Sequence, residues 1–326
     1  MQKKLIFSLV LVIIVMVIFS GKGLTENNIE IFTSIYPLQE TAERIGGGRI
    51  NVNLVIPDGD EVHGSELTPG KIAALEKADI FFYIGLGLEP WADQLVANLK
   101  ELGVETVKVS KYLNLRKFSD DKHDHDHSHN NDGHEENHHE HEAHHDGHEH
   151  GKYDPHVWLD PHNMKEIGNT IKEKLIKHDP QNKNYYEDNY KDFTERLNGL
   201  DQLFQEKLNP EEDDIILVSH AAFGYLGDRY GFRQLSVTGV SPHEEPGFAT
   251  IVNLVEKSRE YEIDYIFMEV LASPETVAVI AEEADLEVLI LNPLPGLTEE
   301  QREKNENYFT IMEKNLENLA KALGND

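Results

Sequence analysis

The chain has 326 residues, no cysteine and a formal net charge of −30, with 30 Lys and Arg against 60 Asp and Glu. The length favours two domains, and the lack of cysteine excludes disulfides and thiolate metal sites. The acidity, with no basic stripe to relieve it, excludes nucleic acid as a partner.

The chain opens with Gln2-Lys3-Lys4 and an unbroken apolar run from Leu5 to Phe19. That run has signal-peptide length and falls short of the roughly 20 residues of a bilayer span. It predicts an export signal over 1–23 and hence an extracytoplasmic protein, in the periplasm or at the outer face of the cell membrane. An uncleaved anchor is the alternative, because no A-x-A cleavage site follows. A lipobox is excluded because its cysteine is missing.

Strand and helix patterns then alternate. Ile29 to Ile35 predicts a strand, followed by Pro37, Leu38, Ala42 and Ile45 at helical spacing up to Gly46-Gly47-Gly48. Asn51 to Ile56 alternates as a strand and breaks at Pro57-Asp58-Gly59. Thr68 is an N-cap with Pro69 at the first helical position. Ile80 to Ile84 and Glu105 to Val109 read as further strands. This βαβα order favours a mostly parallel sheet flanked by helices.

Residues His123 to His150 interrupt the pattern. Twelve of these 28 residues are His and nine are Asp or Glu, and Ala143 is the only apolar side chain. The segment cannot build a core, so a disordered loop over 120–151 is expected. His-rich tracts of this kind bind transition metals, because neutral imidazole is their commonest ligand. Beyond the loop, Asp160-Pro161 opens a helix carrying Met164, Ile167, Ile171 and Leu175. Tyr186, Tyr190, Phe193, Leu197, Leu200 and Phe204 then share one face of a long helix. The α/β pattern resumes with strands at Asp214–Ser219, Tyr265–Met268 and Glu287–Leu291, helices over Pro274–Ala284 and Tyr308–Leu323. The expected organisation is an N-terminal α/β lobe over 24–178, a connecting helix over 179–208 and a C-terminal α/β lobe over 209–326, with a cleft between the lobes.

Only six histidines lie outside the rich tract. His63 follows the second strand, His156 lies between prolines in DPHVWLDP, and His220 follows the strand IILVS. Ligands of α/β sheets gather at the carboxyl ends of strands, where His63 and His220 fall. The three are candidate ligands of one metal ion bridging the cleft. His162, His178 and His243 read as helix-end or surface residues. No HExxH, G-x-S-x-G, P-loop or GxGxxG motif occurs.

At these residues the chain resembles the zinc-specific solute-binding subunits of bacterial metal ABC transporters, a cluster that includes manganese-binding members. The resemblance runs through TSIYPL, HGSELTP, IFFYIGLGLEPW, the His/Asp/Glu-rich loop, DPHVWLDP, SHAAFGYLGDRYG, EEPGFATIVNL and LNPLPGLT. It implies two α/β lobes with mostly parallel sheets joined by one long rigid helix, and a metal site in the interlobe cleft. It also implies His63, His156 and His220 as ligands of Zn²⁺, carried as cargo. Manganese-binding relatives place a carboxylate where His220 stands, and three imidazoles suit Zn²⁺ better. Several zinc-binding relatives have a ligand Glu where this chain has Pro295, so water is the default fourth ligand.

The resemblance further implies a non-enzymatic, monomeric capture protein serving the permease and ATPase subunits of an importer. Two other readings stay open on the residues alone. Three His with an open position also build catalytic zinc sites, although no general base is evident near DPHVWLDP or SHAAFGY, with Glu66 and Glu269 left for that role. A zinc buffer acting through the His-rich loop is the other.

Overall fold

The computed structural model describes residues 28–118, 152–211, 214–239, 246–270 and 275–325. The apolar N-terminal run, the His-rich segment and His243 lie outside the described residues. The N-terminal lobe runs β1 (Ile29–Thr33), α1 (Tyr36–Gly46), β2 (Ile50–Leu54), α2 (Pro69–Leu75), β3 (Ile80–Tyr83), α3 (Ala92–Glu101) and β4 (Glu105–Lys108). Its strands are all parallel, in the order β2-β1-β3-β4. Thr68 caps α2 by accepting the Lys71 N–H, and Pro69 occupies the first turn, where its missing donor costs nothing.

Two helices, α4 (Pro161–His178) and α5 (Lys183–Lys207), lead to the second lobe. That lobe comprises β5 (Ile215–His220), α6 (Gly224–Tyr230), β6 (Arg233–Thr238), α7 (Phe248–Glu260), β7 (Tyr265–Met268), α8 (Glu275–Ala284) and β8 (Glu287–Ile290). It ends in α9 (Glu299–Glu303) and α10 (Tyr308–Ala322). Its sheet is again parallel, in the order β6-β5-β7-β8. The two-lobed parallel α/β fold with a long helix is as the sequence predicts.

The apolar strand runs are explained by what lies on each face. Successive side chains of a strand point to opposite sides. Ile31, Ile80, Phe82, Ile216, Val218 and Phe267 enter one core that also takes up Tyr186, Phe193, Leu197, Leu200 and Phe204 of α5. Their neighbours Phe32, Phe81 and Tyr83 enter a second core beneath α2 and α3. Leu217 and Ile266 enter a third beneath α7 and α8. Strands covered on both faces need apolar residues at every position, hence IFFY and IILV. The central core is common to both lobes, and α5 packs against α1 and α4 on one side and α10 on the other.

Polar contacts fix this junction. Asp201 of α5 accepts both Arg229 Nε and Nη2 at 2.7 Å, and Tyr230 Oη at 3.0 Å. Buried Glu40 of α1 accepts the Tyr36 hydroxyl at 2.5 Å and the backbone N–H of Tyr308, at the start of α10, at 2.7 Å. Each sheet reverses its winding between its first and third strands. At that seam in the N-terminal lobe the buried Glu89 carboxylate accepts the N–H groups of Ile84 and Gly85 at 2.9 and 2.8 Å. Burial pushes its pKa above the ordinary carboxylate value.

Five elements were not read from the sequence: α3, α6, β6, α7 and α9. In α7 only Leu254 and Ser258 are fully buried, with Ile251 and Val255 packed partly buried beside them, and the exposed apolar Phe248 and Val252 blur that stripe in the sequence. The strand β6 lies at a sheet edge with only Gln234 and Val237 buried. The shared core implies a sharp contrast along α5. Phe204, fully buried and stacked on Tyr230 with ring centroids 4.8 Å apart, is expected to cost about 3–5 kcal/mol on Phe204→Ala. Its half-exposed neighbour Leu203 is expected to cost less than about 0.5 kcal/mol on Leu203→Ala. Denaturant titration of both variants measures the difference.

Candidate metal centre

His220 is the last residue of β5, one position nearer the strand than the sequence pattern places it. The strand pairs with β6 on one side and β7 on the other, so His220 stands at the seam where the winding reverses, the usual ligand crevice of such sheets. His63 lies in the loop between β2 and α2, and its N–H is held by Glu61 Oε1 at 3.1 Å. His156 precedes a short 3₁₀ turn, Val157–Leu159, that leads into α4. That turn is bolted to the C-terminal lobe. The Trp158 indole donates to Pro293 O at 2.6 Å, and the Tyr308 hydroxyl donates to Trp158 O at 2.9 Å.

The three rings meet. His63 Nε2 lies 3.3 Å from His156 Nε2, which lies 3.2 Å from His220 Nε2. All three ligand atoms fall within 4.8 Å of one another, and among the described residues no further His, Asp or Glu joins the group. A tetrahedral zinc with Zn–N bonds of about 2.0–2.1 Å has N···N edges of about 3.3 Å. The two measured spacings match that edge.

What lies behind the rings decides which nitrogen carries the proton. Asp154 Oδ1 accepts from His156 Nδ1 at 2.8 Å and from the His156 backbone N–H at 3.0 Å. Glu269, directly after β7, accepts from His220 Nδ1 and, at 2.5 Å, from the Ser219 hydroxyl. An ionised carboxylate only accepts, so each ring carries its hydrogen on Nδ1 and turns the Nε2 lone pair forward. Two bare lone pairs 3.2 Å apart repel, and a cation between them removes the repulsion. Carboxylate–imidazole pairs of this kind orient metal-binding histidines.

Electrostatics separate the two buried rings, which are 1% and 2% exposed. Burial pushes the pKa of His156 well below the ordinary imidazole value, and the adjacent His220 adds to this. Burial also opposes charge on His220, but the Glu269 carboxylate outweighs it and holds that pKa above the ordinary value. Of these two rings, His220 is the one that a competing proton enters.

The other predicted positions stay apart from the group. His162 is exposed in the first turn of α4, whose N-cap is Asp160. His178 ends that helix and pairs with Glu105 at 2.8 Å. Glu66 is exposed. The Pro295 carbonyl accepts the Tyr36 N–H at 3.2 Å, and its side chain offers no donor atom. The sequence reading missed Asp154 and Glu61, and it treated Glu269 only as a potential base. A signal existed for two of them: Asp-Pro-His places an acid two residues before a ring, and Glu269 directly follows an apolar strand at its carboxyl end.

The profile of the family described as "Zinc-uptake complex component A periplasmic" matches residues 31–322. The high-affinity zinc uptake system protein ZnuA of Bacillus subtilis (strain 168) is 33% identical over 307 residues, covering 93% of this chain and 91% of that protein. The zinc-binding lipoprotein AdcA of Streptococcus pneumoniae (strain TIGR4) is 32% identical over 304 residues, and the match spans 57% of its length. The crystal structure of the Zn(II)-bound ZnuA-like domain of AdcA from Streptococcus pneumoniae superposes with a TM-score of 0.73 at 30% identity, over 91% of this chain and 99% of that one. With nearly all of its described fold inside the matched region, this chain belongs to the ZnuA family of periplasmic zinc-uptake components.

Proposed function

We propose that this protein captures Zn²⁺ outside the cytoplasm through His63, His156 and His220 and delivers it to the permease and ATPase subunits of an ABC importer. The observation that carries this reading is the convergence of three imidazole nitrogens within 4.8 Å of one another, with two of the three spacings at the edge length of a zinc tetrahedron. Two of the rings have a carboxylate behind them, so Asp154 and Glu269 together balance a charge of two. Three neutral imidazoles favour Zn²⁺ over the oxygen-preferring Mn²⁺. Binding replaces the forward lone pairs of two buried rings and the partly exposed His63 by three metal bonds, and water fills the fourth position left by Pro295.

A carrier fits the site better than a hydrolase. Glu269, the acid nearest to serving as a base, is already engaged by the His220 ring and the Ser219 hydroxyl. Zinc-loaded protein is accordingly expected to leave ester and peptide substrates intact. The His-rich segment 120–151 fits a gathering role, because many imidazoles among acids raise the local Zn²⁺ concentration while each weak site costs ordering entropy.

Three measurements test the reading. Replacing His63, His156 or His220 by Ala is expected to weaken tight Zn²⁺ binding by more than the roughly 10–100-fold typical of losing an outer-shell partner. His162→Ala and His178→Ala are expected to leave it intact in chelator competition. Equal losses at all five positions would sink the assignment.

The second concerns protons. Glu269 holds the pKa of His220 above the ordinary imidazole value and burial holds that of His156 well below it, so His220 is the ring of the two that gives up a proton to Zn²⁺. Zn²⁺ binding at pH 7 is expected to release up to one proton, and affinity to fall as pH drops toward 5. Calorimetry in buffers of different ionisation enthalpy counts the protons, and a count of zero across that range contradicts the scheme.

The third removes residues 120–150. Stoichiometry is expected to fall by more than one zinc per chain with the tightest Kd unchanged. Loss of the tight site on this deletion would mean that the segment supplies one of its ligands.

A further inference from the structure

Arg116 belongs to the N-terminal lobe, eight residues beyond β4, yet its side chain ends in the other lobe. It is buried, and its Nε donates to Asp228 Oδ2 of α6 at 2.8 Å. Its Nη1 lies 3.9 Å from Asp154 Oδ2. Asp154 is the carboxylate whose other oxygen holds both the ring and the backbone N–H of His156.

The main chain repeats the connection. The Asp154 N–H donates to Arg116 O, and the Arg116 N–H donates to the Tyr225 hydroxyl of α6, each at 3.0 Å. That hydroxyl donates in turn to Asp154 O at 3.1 Å. Asp154 is thus held on its carbonyl and its N–H by residues that straddle the lobes, and its Oδ2 faces the Arg116 guanidinium. The Lys117–Tyr153 antiparallel bridge adjoins the same point.

Gly224 is the shape counterpart of this contact. A Cβ at position 224 would stand 2.5 Å from Arg116 Nη1 and 2.7 Å from its Cζ. The first residue of α6 therefore has to be glycine for the guanidinium to lie where it does.

We infer that Arg116 is a positioning residue for metal capture: through Asp154 it sets the His156 ring, and through Asp228 and Tyr225 it fixes that ring's place relative to the C-terminal lobe. Two hydrogen bonds hold Oδ1 of this carboxylate, and the angle at which it meets the ring is set by what its second oxygen faces. The guanidinium supplies a charge at that second oxygen, and its planar fork lets one side chain address Asp154 and Asp228 together. A lysine in its place has one point charge to divide between two acids.

This inference rests on the three-histidine centre proposed above, and the experiment separates the two. Zn²⁺ itself is the probe, with affinity read by chelator competition and the His156 Nδ1–H resonance read by ¹⁵N NMR. Arg116→Gln is expected to weaken Zn²⁺ binding about tenfold, at the lower end of outer-shell effects, and to shift the His156 Nδ1–H resonance while leaving that of His220 in place. Gly224→Ala keeps the arginine but displaces its guanidinium, so it is expected to reproduce the pattern and serves if the glutamine variant does not fold. Combining Arg116→Gln with Asp154→Asn is expected to cost much less than the sum of the two, because both break one pathway. Wild-type affinity and an unmoved His156 resonance in Arg116→Gln, with only the melting temperature lowered, would overturn the inference, as would strict additivity. Tight binding that survives His156→Ala would instead overturn the three-histidine reading itself.

Discussion

In the proposed centre, ligands contributed by a loop of one lobe, a crossover segment and a strand end of the other have to meet within bond-length tolerance of one point. A spacing error of 1 Å between the lobes would separate His63 from His156 and His220, which are tied to the C-terminal lobe, and leave a two-ligand site. Surface contacts between independent lobes hold no such tolerance. The shared core does, because close-packed interiors resist compression and shear. Phe193, Leu197, Leu200 and Phe204 of α5 place the helix inside the same apolar cluster as the inner faces of both sheets.

The electrostatic design follows the same economy. Each buried ring has its rear nitrogen committed to a carboxylate, so neither can rotate or change tautomer without breaking a buried hydrogen bond. His63 differs, being half-exposed and steadied through its backbone by Glu61. The proposed centre therefore combines two fixed rings with one on a surface loop.

The fold was largely legible in the sequence, and the exceptions have a common cause. The runs IFFY and IILVS and the four-three spacing along α5 betray elements buried on a whole face. Elements with little buried surface, such as β6 and α7, leave no such trace. At the site, His63, His156 and His220 stood out by scarcity and by their places at strand ends. The carboxylates did not, because an acid is unremarkable in a chain with 60 of them. Glu269 and His220 are 49 residues apart, and only the adjacency of β5 and β7 brings them together. Arg116 was invisible for the same reason, since its partners Tyr225 and Asp228 lie more than 100 residues downstream.

The two sheets share one strand order and therefore offer two equivalent crevices, one at each reversal of winding. In the C-terminal lobe the crevice presents His220 and Glu269 to the cleft. In the N-terminal lobe it is filled from within, the Glu89 carboxylate sitting on the Ile84 and Gly85 amides as a captured anion would. With the Ile84 and Gly85 amides satisfied by Glu89, the two crevices differ in what they present: a filled anion cradle in one lobe, and His220 with Glu269 in the other, while His63 approaches the cleft from the loop after β2.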